Sequence, residues 1–196
     1  TCSVTHEKFL PTEIERCSVS GDPVNLQAMF RSEVSNRWAK QEYASRCEVT
    51  DSLVLPEELN ESSLSSRLFR SDEAVHLTDD SLAHKSEAEW CTFCDRWFPK
   101  GTCTPSTVSG ELVSPDRLRL SELSQAVGDE SEIVTCADTG QKVLANEVEY
   151  CGATGEPVVK GKLSECTKSG QRVRKQLLQP CDETGRLLLS DLMVSC

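Results

Sequence analysis

Several things are scarce in this 196-residue chain. Aromatic residues make up only 5% of it and histidine occurs three times. No apolar run approaches the roughly 20 residues a membrane-spanning helix needs. Lys and Arg number 21 against 32 Asp and Glu, a formal charge of -11. That balance disfavours a general grip on nucleic acid, because phosphate binding relies on cations that release counterions. The thin aromatic content and an apolar share of 37% are low for one large core. The apolar residues are nevertheless spread evenly, which argues against wholesale disorder. The opening Thr1-Cys2-Ser3-Val4 has neither a basic nor an apolar leader region, so no signal peptide is expected. The missing initiator Met predicts a processed product or a piece of a longer chain.

What is present is a period. Cys136, Cys151, Cys166, Cys181 and Cys196 fall 15 residues apart, and the same step links Cys2, Cys17, Ser32, Cys47, Ser62 and Leu77. The two ladders join if the unit 77–90 is one residue short. Thirteen units then start near 2, 17, 32, 47, 62, 77, 91, 106, 121, 136, 151, 166 and 181, as a single array over 1–196. Three more columns keep phase. The fourth position is Ser or Thr in eleven of thirteen units, and the fifth holds Gly21, Gly110, Gly140, Gly155, Gly170 and Gly185 with Asn36, Asp51 and Asp95. The thirteenth is apolar throughout, from Ile14 to Met193, and the eighth is nearly so, with Val24, Phe69 and Val143 typical and His84 an exception.

Each unit predicts a small hairpin followed by one helical turn. Val at the third and eighth positions suits short extended segments on either side of a Ser/Thr-Gly turn. Leu10-Pro11-Thr12-Glu13-Ile14 and Leu55-Pro56-Glu57-Glu58-Leu59 carry the Pro and acids of a first helical or 3₁₀ turn. Such a unit cannot bury its own apolar residues and must stack on its neighbours. The expected fold is therefore mainly β: an elongated, solenoid-like tandem array of about thirteen hairpin-plus-turn units. Recurrent Gly and Pro exclude a continuous coiled coil of the same period.

The strings Cys17-Ser18-Val19-Ser20-Gly21, Cys47-Glu48-Val49-Thr50 and Ser106-Thr107-Val108-Ser109-Gly110, with Ser114-Pro115-Asp116-Arg117-Leu118, resemble a repeat region of large Swi/Snf-type helicase-like proteins of planctomycete bacteria. The resemblance covers essentially the whole chain but only the repeats. No Gly-Lys-Thr phosphate loop or Asp-Glu-x-His box is present, so no ATPase residue carries over. It implies an accessory module and an intracellular, cytoplasmic place.

Eleven cysteines, an odd number, leave at least one unpaired within the chain. A slot that takes Cys or Ser suits a small buried group, so reduced thiols are expected, with bridges between adjacent units as the alternative. Zinc is the sharper alternative. His84, Cys91, Cys94 and Cys103, with His76 nearby, are ligands of the right type. Repeat phase already accounts for each thiol, so no metal or other cofactor is expected. No catalytic residue stands out either: Glu13, Glu58, Glu73, Glu87, Glu132 and Glu147 recur at position twelve as a structural column rather than an acid–base pair. Trp90 and Trp97 flank the short unit as filler. The run Lys160, Lys162, Lys168, Arg172, Arg174 and Lys175 reads as a solvated basic face.

The function expected is a non-catalytic scaffold for protein–protein interaction. A structural protein stacking end to end into a filament, with an extracellular place open to it, is the second reading, since neither end carries an atypical capping unit. An accessory role beside a nucleic-acid-dependent ATPase is the third, although direct nucleic-acid binding is disfavoured by charge. No membrane association is expected.

Overall fold

The computed structural model describes residues 1–192, the side chain of Leu192 excepted; Met193 and Cys196, members of the thirteenth- and first-position columns, lie outside the described residues. The described chain is mainly β and consists of small antiparallel hairpins, twelve two-stranded sheets among the described residues, with 3₁₀ turns between them. Two compact units are present, one of Thr1–Trp90 with Asp95–Gly101 and the other of Cys91–Cys94 with the chain from Thr102 onward.

One hairpin shows how the sequence makes the rest. Ile14–Arg16 pairs with Pro23–Asn25 in the register Ile14↔Asn25, Glu15↔Val24, Arg16↔Pro23. The loop between them closes with the Gly21 amide donating to the Cys17 carbonyl and the Cys17 amide to the Asp22 carbonyl. After the second strand Leu26–Ala28 makes one 3₁₀ turn, capped by the Asn25 side chain, which accepts from the Gln27 amide at 2.8 Å. Elsewhere Pro11 and Pro56 open the equivalent turn, where a missing N–H costs nothing.

The turn expectation holds at the fifth position. Gly21, Gly110, Gly140, Gly155, Gly170 and Gly185 all have positive φ, and so do His6, Asn36, Asp51, Ser66, Asp80, Asp95 and Gln125. Twelve turns use a left-handed residue here and the short one uses its fourth residue, Asp80; Gly pays no Cβ penalty for it. The strand expectation needs correction. The arms of each hairpin are positions thirteen to fifteen of one unit and seven to nine of the next. Position three is not a strand but the outer part of the turn, where Val4 and Val19 are each 48% exposed. A loop of this size leaves the third residue no strand to pair with, and its β-branched side chain points away from the core.

The short unit also resolves differently from its simple count. Val75 pairs with Ala83 and Ala74 with His84, whereas in the hairpin before it Asn60 pairs with Phe69 and Leu59 with Arg70. Ala83, not His84, therefore fills the eighth, inward slot, and His84 takes the ninth. The missing residue lies in the turn, which closes with Asp80 donating to Leu77 in place of the longer Ser66-to-Ser62 bond.

The core follows the columns. Val24, Val54, Phe69, Ala83, Val113, Val143, Val158 and Val173 at position eight are fully buried, as are Cys2, Cys47, Cys91 and Cys166 at position one. In the first compact unit Val24, Met29, Phe30, Ala39 and Leu55 pack with Cys2 and Cys17. In the second, Val158, Leu163, Val173 and Leu178 pack with Cys151 and Cys166. A further set of backbone bonds runs from the second residue of one turn to the next hairpin: Ser3 to Pro23, Ser18 to Trp38, Glu33 to Leu53 and Glu48 to Leu68, then Thr107 to Val127, Glu122 to Lys142, Ala137 to Pro157 and Gly152 to Arg172.

Candidate functional site

The chemistry-bearing side chains of this fold gather in the turns, around position one. In every turn but the one that begins with Leu77, the first residue is Cys or Ser and its Sγ or Oγ lies by the amides two and three residues on. In the Ser turns, Ser32 Oγ accepts from the Val34 and Ser35 amides at 3.2 and 3.4 Å. In the Cys turns, Cys2 Sγ accepts from the Val4 amide at 3.4 Å and Cys47 Sγ from the Thr50 amide at 3.4 Å.

A second amide, from the following hairpin, must also be satisfied in this buried place, and the chain does so in two ways. Asn25, 23 residues on, donates its amide to Cys2 Sγ at 3.3 Å. The corresponding amides of Lys40, Arg70, Ser114, Val159, Arg174 and Leu189 reach Cys17, Cys47, Cys91, Cys136, Cys151 and Cys166. A serine hydroxyl is too short to do this. In those turns a glutamate intervenes: Ser121 Oγ donates to Glu147 Oε2 at 2.5 Å, and the same oxygen accepts from the Leu144 amide at 2.9 Å. Ser106 with Glu132 and the Asp129 amide repeats the arrangement, and so does Ser32 with Glu58 and the Leu55 amide. Ser62 donates to Glu87 at 2.5 Å.

The pairing is visible along the chain. All four Ser turns have Glu at the place 26 residues on (25 across the short turn). Behind Cys2, Cys17, Cys91, Cys136 and Cys151 that place holds Ala28, Tyr43, Arg117, Lys162 and Leu177. Cys47 alone has a glutamate there, Glu73, and that carboxylate turns instead to His84 Nε2 and Lys85 Nζ, both at 3.1 Å. Four of the six position-twelve glutamates expected to be a structural column, Glu58, Glu87, Glu132 and Glu147, are thus one half of a two-residue device, and Cys is the other way of filling the same need.

Charge states follow. Burial opposes ionisation of Glu58, Glu87, Glu132 and Glu147, but the serine hydroxyls and the capped amide outweigh it and hold all four carboxyls below their ordinary range. Asp129 is fully buried; there too desolvation is opposed and outweighed, by two 2.7 Å bonds from Arg117 and by Ser131, taking it to about 2. The Cys2 thiol is drawn down to about 7, chiefly by the Thr5 amide, and Cys166 to about 7, chiefly by the Ser169 hydroxyl. For a carboxyl whose pKa is lower folded than unfolded, the stabilisation is complete above the unfolded value and is lost as pH falls toward the folded one. The thermal midpoint is therefore expected to be level between about pH 5 and 7, to fall steadily from about pH 4 toward 2, and to rise above about pH 7 as the lowered thiols ionise. Calorimetry across that range is the check, and a level profile would contradict the buried carboxylates.

The zinc candidates are not drawn together as a set. His84 is buried with both ring nitrogens engaged: Nδ1 meets Ser86 Oγ at 2.7 Å and accepts from the Ser86 amide at 3.2 Å, and Nε2 meets Glu73. Its ring also meets Phe69 edge-on, with centroids 5.5 Å apart. Cys103 is buried in its apolar slot. Cys91 and Cys94 do meet, thiol to thiol, and Cys94 Sγ also donates to Ser114 Oγ at 3.8 Å. Among the described residues no group of three His, Cys, Asp or Glu is arranged to hold a metal ion.

Two surface features complete the inventory. Trp90 and Trp97 stack edge-to-face with centroids 5.3 Å apart beside an open cavity of about 370 Å³ that also touches His76, Asp80, Asp95 and Arg96. The basic run is partly neutralised: Arg172 meets Glu149 at 2.5 Å, and Arg174 meets Glu156 at 2.7 Å and Asp138 at 3.7 Å. No helix among the described residues is long and apolar enough to cross a membrane. No protein-family model matches the chain, and neither the curated proteins nor the solved structures include a match to it.

Proposed function

We propose that this chain is a non-catalytic scaffold, a solenoid-like stack of hairpin units whose turns present side chains to protein partners. The reading rests on the way the hairpins are joined. Within each compact unit a turn bonds through its backbone to the next hairpin, as Ser18 does to Trp38 and Glu122 to Lys142. It also touches the one beyond. Arg70 meets Glu33 at 3.5 Å, the Asn146 amide group donates to the Thr107 carbonyl at 3.3 Å, and Gln176 donates to Asp138 at 3.2 Å. Contacts of this short sequence range, recurring along the chain, support the reading of a stack stabilised by units near in sequence.

The turns supply the surface. Val4, Val19, Leu64 and Leu123 occupy position three and are 43 to 48% exposed, an apolar group at the tip of a loop that the hairpin itself does not use. Isolated exposed aliphatics are ordinary; a repeated one at a fixed place in the turn is the kind of contact a protein partner reads. The polar chemistry, by contrast, is consumed inside the turns, and this favours a binding module over an enzyme.

A peptide-display selection against the wild-type protein, counter-screened against the quadruple variant Val4→Ser/Val19→Ser/Leu64→Ser/Leu123→Ser, tests the surface. Selected peptides are expected to lose binding to the folded variant. Electron micrographs of the pure protein at several concentrations accompany it. Peptides that bind both proteins equally would defeat the turn-tip reading, and fibres growing with concentration would replace it with the filament.

A further inference from the structure

The turn Cys91–Asp95 differs from its counterparts in one atom type, and the difference is chemical. In every other described turn that begins with Cys, the fourth residue is Ser or Thr and its hydroxyl hydrogen-bonds to the first residue's sulfur: Thr5 to Cys2, Ser20 to Cys17, Thr50 to Cys47, Thr139 to Cys136, Thr154 to Cys151, Ser169 to Cys166 and Thr184 to Cys181. The backbone therefore brings the fourth side chain onto the first sulfur regardless of sequence. Here the fourth residue is Cys94, and the group brought onto Cys91 Sγ is a second sulfur. Asp95 has a left-handed backbone, φ 52°, like the corresponding residue of the other turns. First and fourth residues of a tight turn have Cα atoms within about 7 Å, inside the reach of a disulfide.

We propose that Cys91 and Cys94 form a redox-active dithiol that exchanges with small-molecule disulfides. Cys94 is half-buried and Cys91 fully buried, so Cys94 meets the incoming reagent. Its thiolate attacks one sulfur of a disulfide RSSR, forming a mixed disulfide and releasing RS⁻. Cys91 then attacks the Cys94 sulfur, closing the protein disulfide and releasing the second RS⁻. The two protons from the protein thiols end on the two leaving groups: the protein loses two electrons and RSSR is reduced to two RSH. The amides of Phe93, Cys94 and Ser114, which donate to Cys91 Sγ, stabilise the Cys91 thiolate that closes the bridge; burial and the Cys91 sulfur push the Cys94 thiol up, so its first attack gains with rising pH. The remaining column cysteines lack such a partner in their own turns, where the neighbour is a hydroxyl. This inference is independent of the scaffold reading, since it rests on one turn alone.

The test is equilibration of the native protein in graded ratios of reduced to oxidised glutathione, alkylation, and mass analysis of the peptide holding residues 91–94. That peptide is expected to become two hydrogens lighter over a defined range of ratios, while the peptides of Cys136, Cys151 and Cys166 alkylate as free thiols. Cys94→Ser, which restores the usual residue of that slot, should fold and leave no such couple. Thr139→Cys should create a second couple with Cys136. A 91–94 peptide that stays fully reduced at ratios that oxidise a free vicinal dithiol would overturn the proposal. So would a bridge that forms only in denaturant, a Thr139→Cys protein with no new couple, or stoichiometric zinc that protects both thiols.

Discussion

Glu147→Ala is expected to lower the stability of the folded chain by about 2–3 kcal/mol, far more than a surface glutamate on a short 3₁₀ turn would. The carboxylate joins the Ser121 hydroxyl to the Leu144 amide, and removing it leaves a buried donor on each side without an acceptor. Ser121→Cys alone should also destabilise, because the larger sulfur is forced against a carboxylate already in place. The double variant Ser121→Cys/Glu147→Leu reproduces the pair that Cys151 and Leu177 make elsewhere in the chain. It should recover to within about 1 kcal/mol of the wild type, because sulfur reaches the amide directly. Denaturant unfolding of the four proteins in the cycle gives the coupling. Simple additivity of the two single changes would mean that the two arrangements are not alternatives.

Phe69→Ala should have the largest effect of any single substitution, about 3–5 kcal/mol. Phe69 is the bulkiest of the fully buried side chains and fills a slot that most often holds Val. Its ring lies edge-on to His84, which is itself fixed by Ser86 and Glu73, so the pocket has little freedom to collapse. Urea unfolding followed by fluorescence and by amide exchange measures it. A loss below about 1 kcal/mol would place Phe69 outside the core.

The sequence made some of this legible and hid the rest for identifiable reasons. The period, the left-handed fifth position, the inward eighth position and the Pro-led 3₁₀ turn were all readable because each is a property of one column. The hairpin boundary was not. Val is common in strands, and Val19 next to Ser-Gly looked like a strand end, but strand pairing depends on which segments meet, here Ile14–Arg16 with Pro23–Asn25. Counting residues placed His84 in the inward slot, since nothing in the string Leu77-Thr78-Asp79-Asp80-Ser81 says where the missing residue lies; the pairing of Val75 with Ala83 does. The Ser–Glu device had a signal that single columns cannot give. Ser32, Ser62, Ser106 and Ser121 each foretell a glutamate in the following unit, and reading two columns together would have found it.

That device sets a rule for rearranging the chain. A turn serine and the glutamate that completes it lie on opposite sides of any cut made at a unit boundary, so a unit is not self-contained when copied, deleted or moved. Placing the unit that begins at Ser121 ahead of the one containing Leu177 would bury an amide with no acceptor, and placing the unit that begins at Cys151 ahead of the one containing Glu147 would leave a carboxylate facing sulfur. Apart from the turns at Cys47, which has Glu73, and at Leu77, the chain thus has two kinds of joint, and duplication or engineered recombination is free only between joints of one kind. An array assembled from these units would have to be written in overlapping pairs, each unit specifying part of its successor.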